Sequence, residues 1–175
     1  MKALCLGILF FVNISISLAD PIPATTLRKL FHNAVLDPTQ IPAFTCKVSQ
    51  ITTPTPIEMA YQAAAEALKA QEEWNPIEKL LHLRKFKRLI AKAVELDADE
   101  VEIRFLRFGI EYNIPVMFRY SNDMLEDKAM ILDSISQIEQ FEVDQFFTIY
   151  IITLMADSGL CTQEEIDLVK SKIKA

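Results

Sequence analysis

Glycine, histidine and cysteine are scarce: the 175 residues contain 3 Gly, 2 His and 3 Cys. Three glycines leave little material for a Gly-rich phosphate loop and disfavour a turn-rich all-β fold. Two histidines and three cysteines exclude a dense metal cluster and a disulfide-stapled scaffold. Positive charge is also short, with 18 Lys+Arg against 24 Asp+Glu and a net charge of −6. That balance argues against non-specific nucleic-acid binding, which needs clustered cations. The length suits one ordinary domain.

What is present begins with an address. Met1-Lys2 is a short positive start, and Ala3 to Ile16 is apolar apart from Gly7, Asn13 and Ser15. Ser17-Leu18-Ala19 then sets small residues three and one before a break at Asp20. This is the layout of a secretory signal peptide over residues 1–19, followed by one domain over 20–175. The run is shorter than the roughly 20 apolar residues of a membrane-spanning helix. Cys5 lies at the start of the run, whereas a lipid-modified cysteine would follow it. Removal of Lys2 with this segment leaves 17 basic against 24 acidic residues, a net charge of −7. No later segment is long enough to span a membrane, so the expected product is exported, periplasmic or secreted, with no integral membrane segment after cleavage. Cys46 and Cys161 then form an even pair in a compartment that permits a disulfide. The bland alternative is two small buried hydrophobes.

Helix-start signals punctuate the rest. Thr55-Pro56-Ile57-Glu58 and Asn75-Pro76-Ile77-Glu78 each place a capping side chain, then proline, then Glu at the third helical position. The capping oxygen accepts an otherwise unbonded backbone N–H, and the carboxylate meets the positive end of the helix. Asp99-Glu100-Val101-Glu102 and Thr162-Gln163-Glu164-Glu165 repeat the spacing without proline. Between them run an Ala-rich stretch from Ile57 to Trp74 and an amphipathic one from Pro76 to Leu96, striped by Leu80, Leu83, Phe86, Ile90 and Val94. Asp99 to Tyr112 is apolar on most sides, so it is expected at the centre, ending where Ile114 precedes Pro115. Helices are expected over Asn122–Ile138, Glu142–Ser158 with Gly159 as its stop, and Thr162–Lys174. Phe147 to Thr153 is strand-like in composition, but no partner strand exists and the flanks favour a buried helix. Asp37 to Pro54, with prolines 38, 42 and 54, holds a short helix or only loop. About seven helices stacked as hairpins in one all-α domain is the expected architecture.

Two resemblances bear on this. Ala91 to Asp99 resembles the junction between two tetratricopeptide-type repeats, although Pro76 falls where such a repeat would be mid-helix, so the likeness is one half-repeat. Tyr61-Gln62-Ala63-Ala64-Ala65, Asn75-Pro76 with Lys79-Leu80, Glu102-Ile103-Arg104-Phe105-Leu106-Arg107-Phe108, Pro115 and Tyr120, with the late Cys161-Thr162, resemble a family of short secreted helical proteins from Bacteroidota. The resemblance covers Ile57 to Lys128 and implies a helical fold and export. The family has no assigned activity and supplies no catalytic residues.

Four candidate sites remain. Glu100, Arg104, Arg107 and Glu111 fall on one stripe of the central helix, where Glu100–Arg104 and Arg107–Glu111 are i,i+4 pairs. Either carboxylates and helix-end carbonyls satisfy these arginines, or Arg104, Arg107, Arg119 and Tyr120 grip a small anionic ligand or a protein partner. Arg84-Lys85-Phe86-Lys87-Arg88, near His82, is a basic run of the kind used on nucleic acid or anionic lipid. In an acidic exported chain it reads as a solvated helix face. For catalysis, His32 and His82 are too far apart in sequence for an H-x-x-x-H metal pair and no G-x-S-x-G elbow is present. The carboxylate pairs Glu72-Glu73, Asp97/Asp99 and Glu164-Glu165 sit where capping explains them. Trp74, Phe105, Phe108, Tyr112, Phe118 and Tyr120 are aromatic, mostly core, with Phe118-Arg119-Tyr120 as the expected pocket rim. The sequence therefore favours a non-catalytic binding protein without metal or cofactor. The rival is a small hydrolase-like enzyme using Arg104 and Arg107 as an anion site.

Overall fold

The computed structural model describes residues 22–115, 123–137 and 145–172. They form eight α-helices with no strand among the described residues: α1 (Ala24–Leu36), α2 (Ile41–Ser49), α3 (Pro56–Glu72), α4 (Pro76–Leu96), α5 (Val101–Asn113), α6 (Asp123–Gln137), α7 (Gln145–Asp157) and α8 (Gln163–Lys172). The all-α architecture expected from the cap pattern is the one observed. The segment 1–19 lies outside the described residues. No described helix is long and apolar enough to cross a membrane.

The caps act as their chemistry requires. Thr55 Oγ1 accepts from the Glu58 N–H, and Glu58 returns a bond to the Thr55 N–H at 2.8 Å. Glu58 also takes the N–H of Ile22 at 2.9 Å, tying the start of the described chain to α3. Asn75 Oδ1 accepts from the Ile77 N–H at 2.9 Å, and Thr162 with Glu165 closes a second reciprocal cap. At α5 the capping side chain is Glu100, which accepts from the Glu102 N–H at 3.0 Å, one residue later than the Asp99 the spacing suggested. The uncertain 37–54 region holds both a 3₁₀ turn (Pro38–Gln40) and α2. The strand-like Phe147 to Thr153 lies within α7, which the left-handed Gly159 (φ 66°) terminates at the expected place.

The helices enclose two hydrophobic clusters that share α5. The first is built from α1–α4, around an aromatic triangle of Phe31, Phe44 and Tyr61 with centroids 5.8–6.4 Å apart. Small side chains at Ala60, Ala63 and Ala64 are fully buried and let α3 and α4 pack closely as a hairpin. Leu83, Phe86, Ile90 and Ala93 form the inward stripe of α4. The second cluster joins α6, α7 and α8 through Met124, Ile131, Ile151, Leu154, Met155 and Val169. From α5, Ile103 and Leu106 enter the first cluster, with Ile114 just past the helix end, while Phe105 and Phe108 enter the second. Every residue from Glu102 to Gly109 is buried. The apolar composition of this helix thus follows from its having no solvent face over two turns. Gly109 sits where a Cβ would come within 2.9 Å of Leu154, so the missing side chain admits α7.

Candidate functional site

Two polar constellations cross α5, one into each cluster. On the first side, Glu102 receives Arg28 from α1, with Nε at 3.2 Å and Nη2 at 2.6 Å. The Tyr61 hydroxyl from α3 donates to the same carboxylate. Burial, reinforced by that neighbouring carboxylate, holds the Tyr61 phenol far above its ordinary pKa, so it remains a donor.

On the second side lie the arginines. Arg107 grips Asp127 of α6 through a bidentate fork, Nε to Oδ2 at 2.7 Å and Nη2 to Oδ1 at 2.6 Å. Arg104 donates Nη1 to Glu126 at 2.5 Å and to Asp127 at 3.3 Å, and its Nε to the Ala98 carbonyl at 2.9 Å. Asp123 completes the ring, 3.6 Å from Arg107 Nη1. Asp127 is wholly buried, and burial pushes its carboxyl above the usual range; the two guanidiniums only partly pull it back. Burial also disfavours the Arg107 charge, but Asp127 outweighs this and holds the guanidinium above its ordinary pKa. Glu126, at the rim, is held below the usual range by its bond to Arg104.

The structure therefore brings Arg104 and Arg107 together, but their partners are not those on their own helix. Glu100 is spent on the cap, and Glu111 stands 3.9 Å from Lys87 of α4. A guanidinium is long and its fork planar, so a carboxylate on a facing helix satisfies it better than a neighbour one turn away. Arg119, Tyr120 and Phe118 lie outside the described residues. Cys46, exposed on α2, and Cys161, packed against the second cluster, are both free thiols in this structure. They sit on elements that serve different clusters.

The remaining motifs separate by exposure. The basic run divides across α4: Phe86 is buried, Lys87 faces Glu111, and Arg84, Lys85 and Arg88 are exposed. His82 Nδ1 lies 2.7 Å from Glu66, which also receives Lys69 at 2.9 Å. Beside Glu66, residues of α2, α3 and α4 border a shallow groove of about 210 Å³, with Gln62 and Lys69 in its wall. Phe105 and Phe108 are core, as expected of them. Trp74 is not: it is 96% exposed at the turn between α3 and α4, with Ile77 68% exposed beside it in sequence.

Sequence reasoning missed the roles of Asp127 and Glu102, and Asp127 left a trace. Asp127 shares a helical stripe with Met124 and Ile131, which are core residues. A carboxylate on an apolar stripe implies a buried cation opposite. No group of three or more His, Cys, Asp or Glu among the described residues could hold a metal ion. No family model, curated protein or solved structure matches the chain.

Proposed function

We propose that the chain is exported and acts as a non-catalytic binding protein, meeting its partner through the outer face of the α3–α4 hairpin. The observation that carries the reading is Trp74, the sole tryptophan, left in water at the hairpin turn. Indoles anchor interfaces because they bury a large apolar area with few rotatable bonds. Ile77 and Leu81 extend the apolar area along α4. Export rests on the layout of residues 1–19, and the resemblance of the Glu102–Phe108 core to secreted helical proteins supports the same location. An anionic ligand at Arg104 and Arg107, as the enzymatic alternative requires, would have to displace Asp127 from a bidentate bond inside the fold.

Two measurements test this. Terminal sequencing of the chain recovered from cells should begin at Asp20; a chain that keeps Met1 and stays in the cytoplasm removes the export half. A photo-crosslinking residue at position 74 should give a discrete adduct in the envelope, and the same probe at exposed Asp133 should not. Equal, diffuse labelling from both positions would remove the binding half.

A further inference from the structure

The outer face of α4 changes character along its length. Counting about 100° per residue, Ile77, Leu81, Arg84 and Arg88 fall within a strip roughly 60° wide. All four are exposed, opposite the buried stripe of Leu83, Phe86, Ile90 and Ala93. The strip therefore starts apolar, next to Trp74 at the turn, and becomes cationic after two helical turns. Lys85 and Lys92 flank it, each near a carboxylate: Lys85 is 3.8 Å from Glu66 and Lys92 is 3.0 Å from Glu95. Among the described residues the ion pairs of α4 are made by His82, Lys85, Lys87 and Lys92, and not by Arg84 or Arg88. In a chain with a net charge of −6, two exposed guanidiniums in line with an exposed indole are a local reversal of sign. At physiological ionic strength screening over about 8 Å lets such a patch act independently of the distant net charge.

We propose that this strip seats the protein on an anionic lipid bilayer, Trp74 and Ile77 entering the headgroup region and Arg84 and Arg88 meeting phosphates. The inference rests on the binding reading above and names the partner of the same surface. Three features favour a bilayer over a protein groove. Trp74 and Ile77, the most exposed apolar residues of the strip, stand at the turn and the first residues of α4, open to a soft phase. The aromatic residue is tryptophan, whose ring is apolar with a polar N–H and prefers the membrane–water boundary. The two exposed arginines share one helix face with the apolar end, where each is attracted to an anionic headgroup layer that the apolar tip enters. Glu72, Glu73 and Glu78 border the tip. Those carboxylates resist hydrocarbon and limit the insertion to headgroup depth, which is consistent with a peripheral contact.

The single tryptophan makes the test direct. The exported chain, as recovered from cells, is mixed with vesicles of phosphatidylcholine alone or of phosphatidylcholine with equal phosphatidylglycerol. Only the anionic vesicles should shift the Trp74 emission to the blue and carry the chain down on centrifugation. Arg84→Glu with Arg88→Glu should lower that partition by about thirtyfold or more, and Arg84→Gln with Arg88→Gln by less. Both pairs lie on the exposed face, and unchanged circular dichroism will establish that each variant is folded. Equal partition onto neutral and anionic vesicles, or undiminished partition of the Glu pair, overturns the proposal. Absence of vesicle binding together with one discrete protein adduct at position 74 overturns the lipid partner while the binding reading stands. Absence of both removes the two together.

Discussion

The two faces of α5 solve one electrostatic problem in opposite senses. Towards α1–α4, the helix supplies the acid, Glu102, and its neighbours supply the donors, Arg28 and Tyr61. Towards α6, it supplies the donors, Arg104 and Arg107, and its neighbour supplies the acid, Asp127. Among the described residues, the first arrangement sets one cation, Arg28, and one neutral hydroxyl, Tyr61, on one anion. The second sets two cations on one buried anion, so it needs a second carboxylate, Glu126, which lies at the rim with its side chain mostly in solvent. Removing the shared anion should therefore cost more on the second side, because two buried charges share it there and keep only rim carboxylates. A buried charge without a partner is far costlier than a pair is stabilising.

The strongest test of this contrast is Asp127→Ala. It should cost about 3–5 kcal/mol in urea denaturation, since it removes the buried counter-ion and leaves two guanidiniums with only the rim carboxylates Glu126 and Asp123. A loss under about 1 kcal/mol would mean that Glu126 and Asp123 carry the balance unaided. On the other face, Glu102→Ala should cost about 2–3 kcal/mol, with one cation and one hydroxyl left behind. Tyr61→Phe isolates the hydroxyl and should cost about 1 kcal/mol. If the Glu102 variant proves the costlier of the two carboxylate deletions, the contrast between the faces is wrong. The smallest effect is in acid. Hydrogen bonds from Thr55 and Ile22 outweigh burial and hold Glu58 below its ordinary 4.5, so its contribution is present above that pH and is lost as the pH falls through the depressed folded value. Asp127 runs the other way: its folded value is above the ordinary 3.8, so its contribution is present below 3.8 and declines as the pH rises through the folded value. Carboxyl carbon NMR titration should find Glu58 below 4.5 and Asp127 above 3.8. The reverse displacement at either residue would refute the assignment of its environment.

How much of this was legible in the sequence depends on how local the cause is. Thr55, Asn75 and Thr162 declare their helices because a cap acts within three residues of itself. Helix α1 has no such mark; it begins after Pro23 with no side-chain cap, and its boundary follows from packing Leu27, Phe31 and Ala34 against the other helices. The arginine stripe was visible, but its counter-ion stands about twenty positions further along on another helix. Local i,i+4 reasoning chose Glu100 and Glu111 for that reason. The position of Trp74 was not visible either. A large aromatic residue beside an Ala-rich helix reads as core, and only the turn between α3 and α4 carries it outward.

The shared helix also orders events in time. A chain made from its N-terminus contains α1–α4 and all of α5 before α6 has been added. The first cluster can then close on Ile103, Leu106 and Ile114 while Phe105, Phe108 and the two guanidiniums are still bare. At that stage α5 is a half-finished template, apolar and doubly cationic, for which Asp127 is the buried matching acid among those α6 brings. We expect a chain stopped after Pro115 to fold its first cluster and to bind a separate peptide spanning Asp123–Lys172. Loss of that binding on Asp127→Ala in the peptide, read by calorimetry, would place the salt-bridged pair at the step where the second half recognises the first.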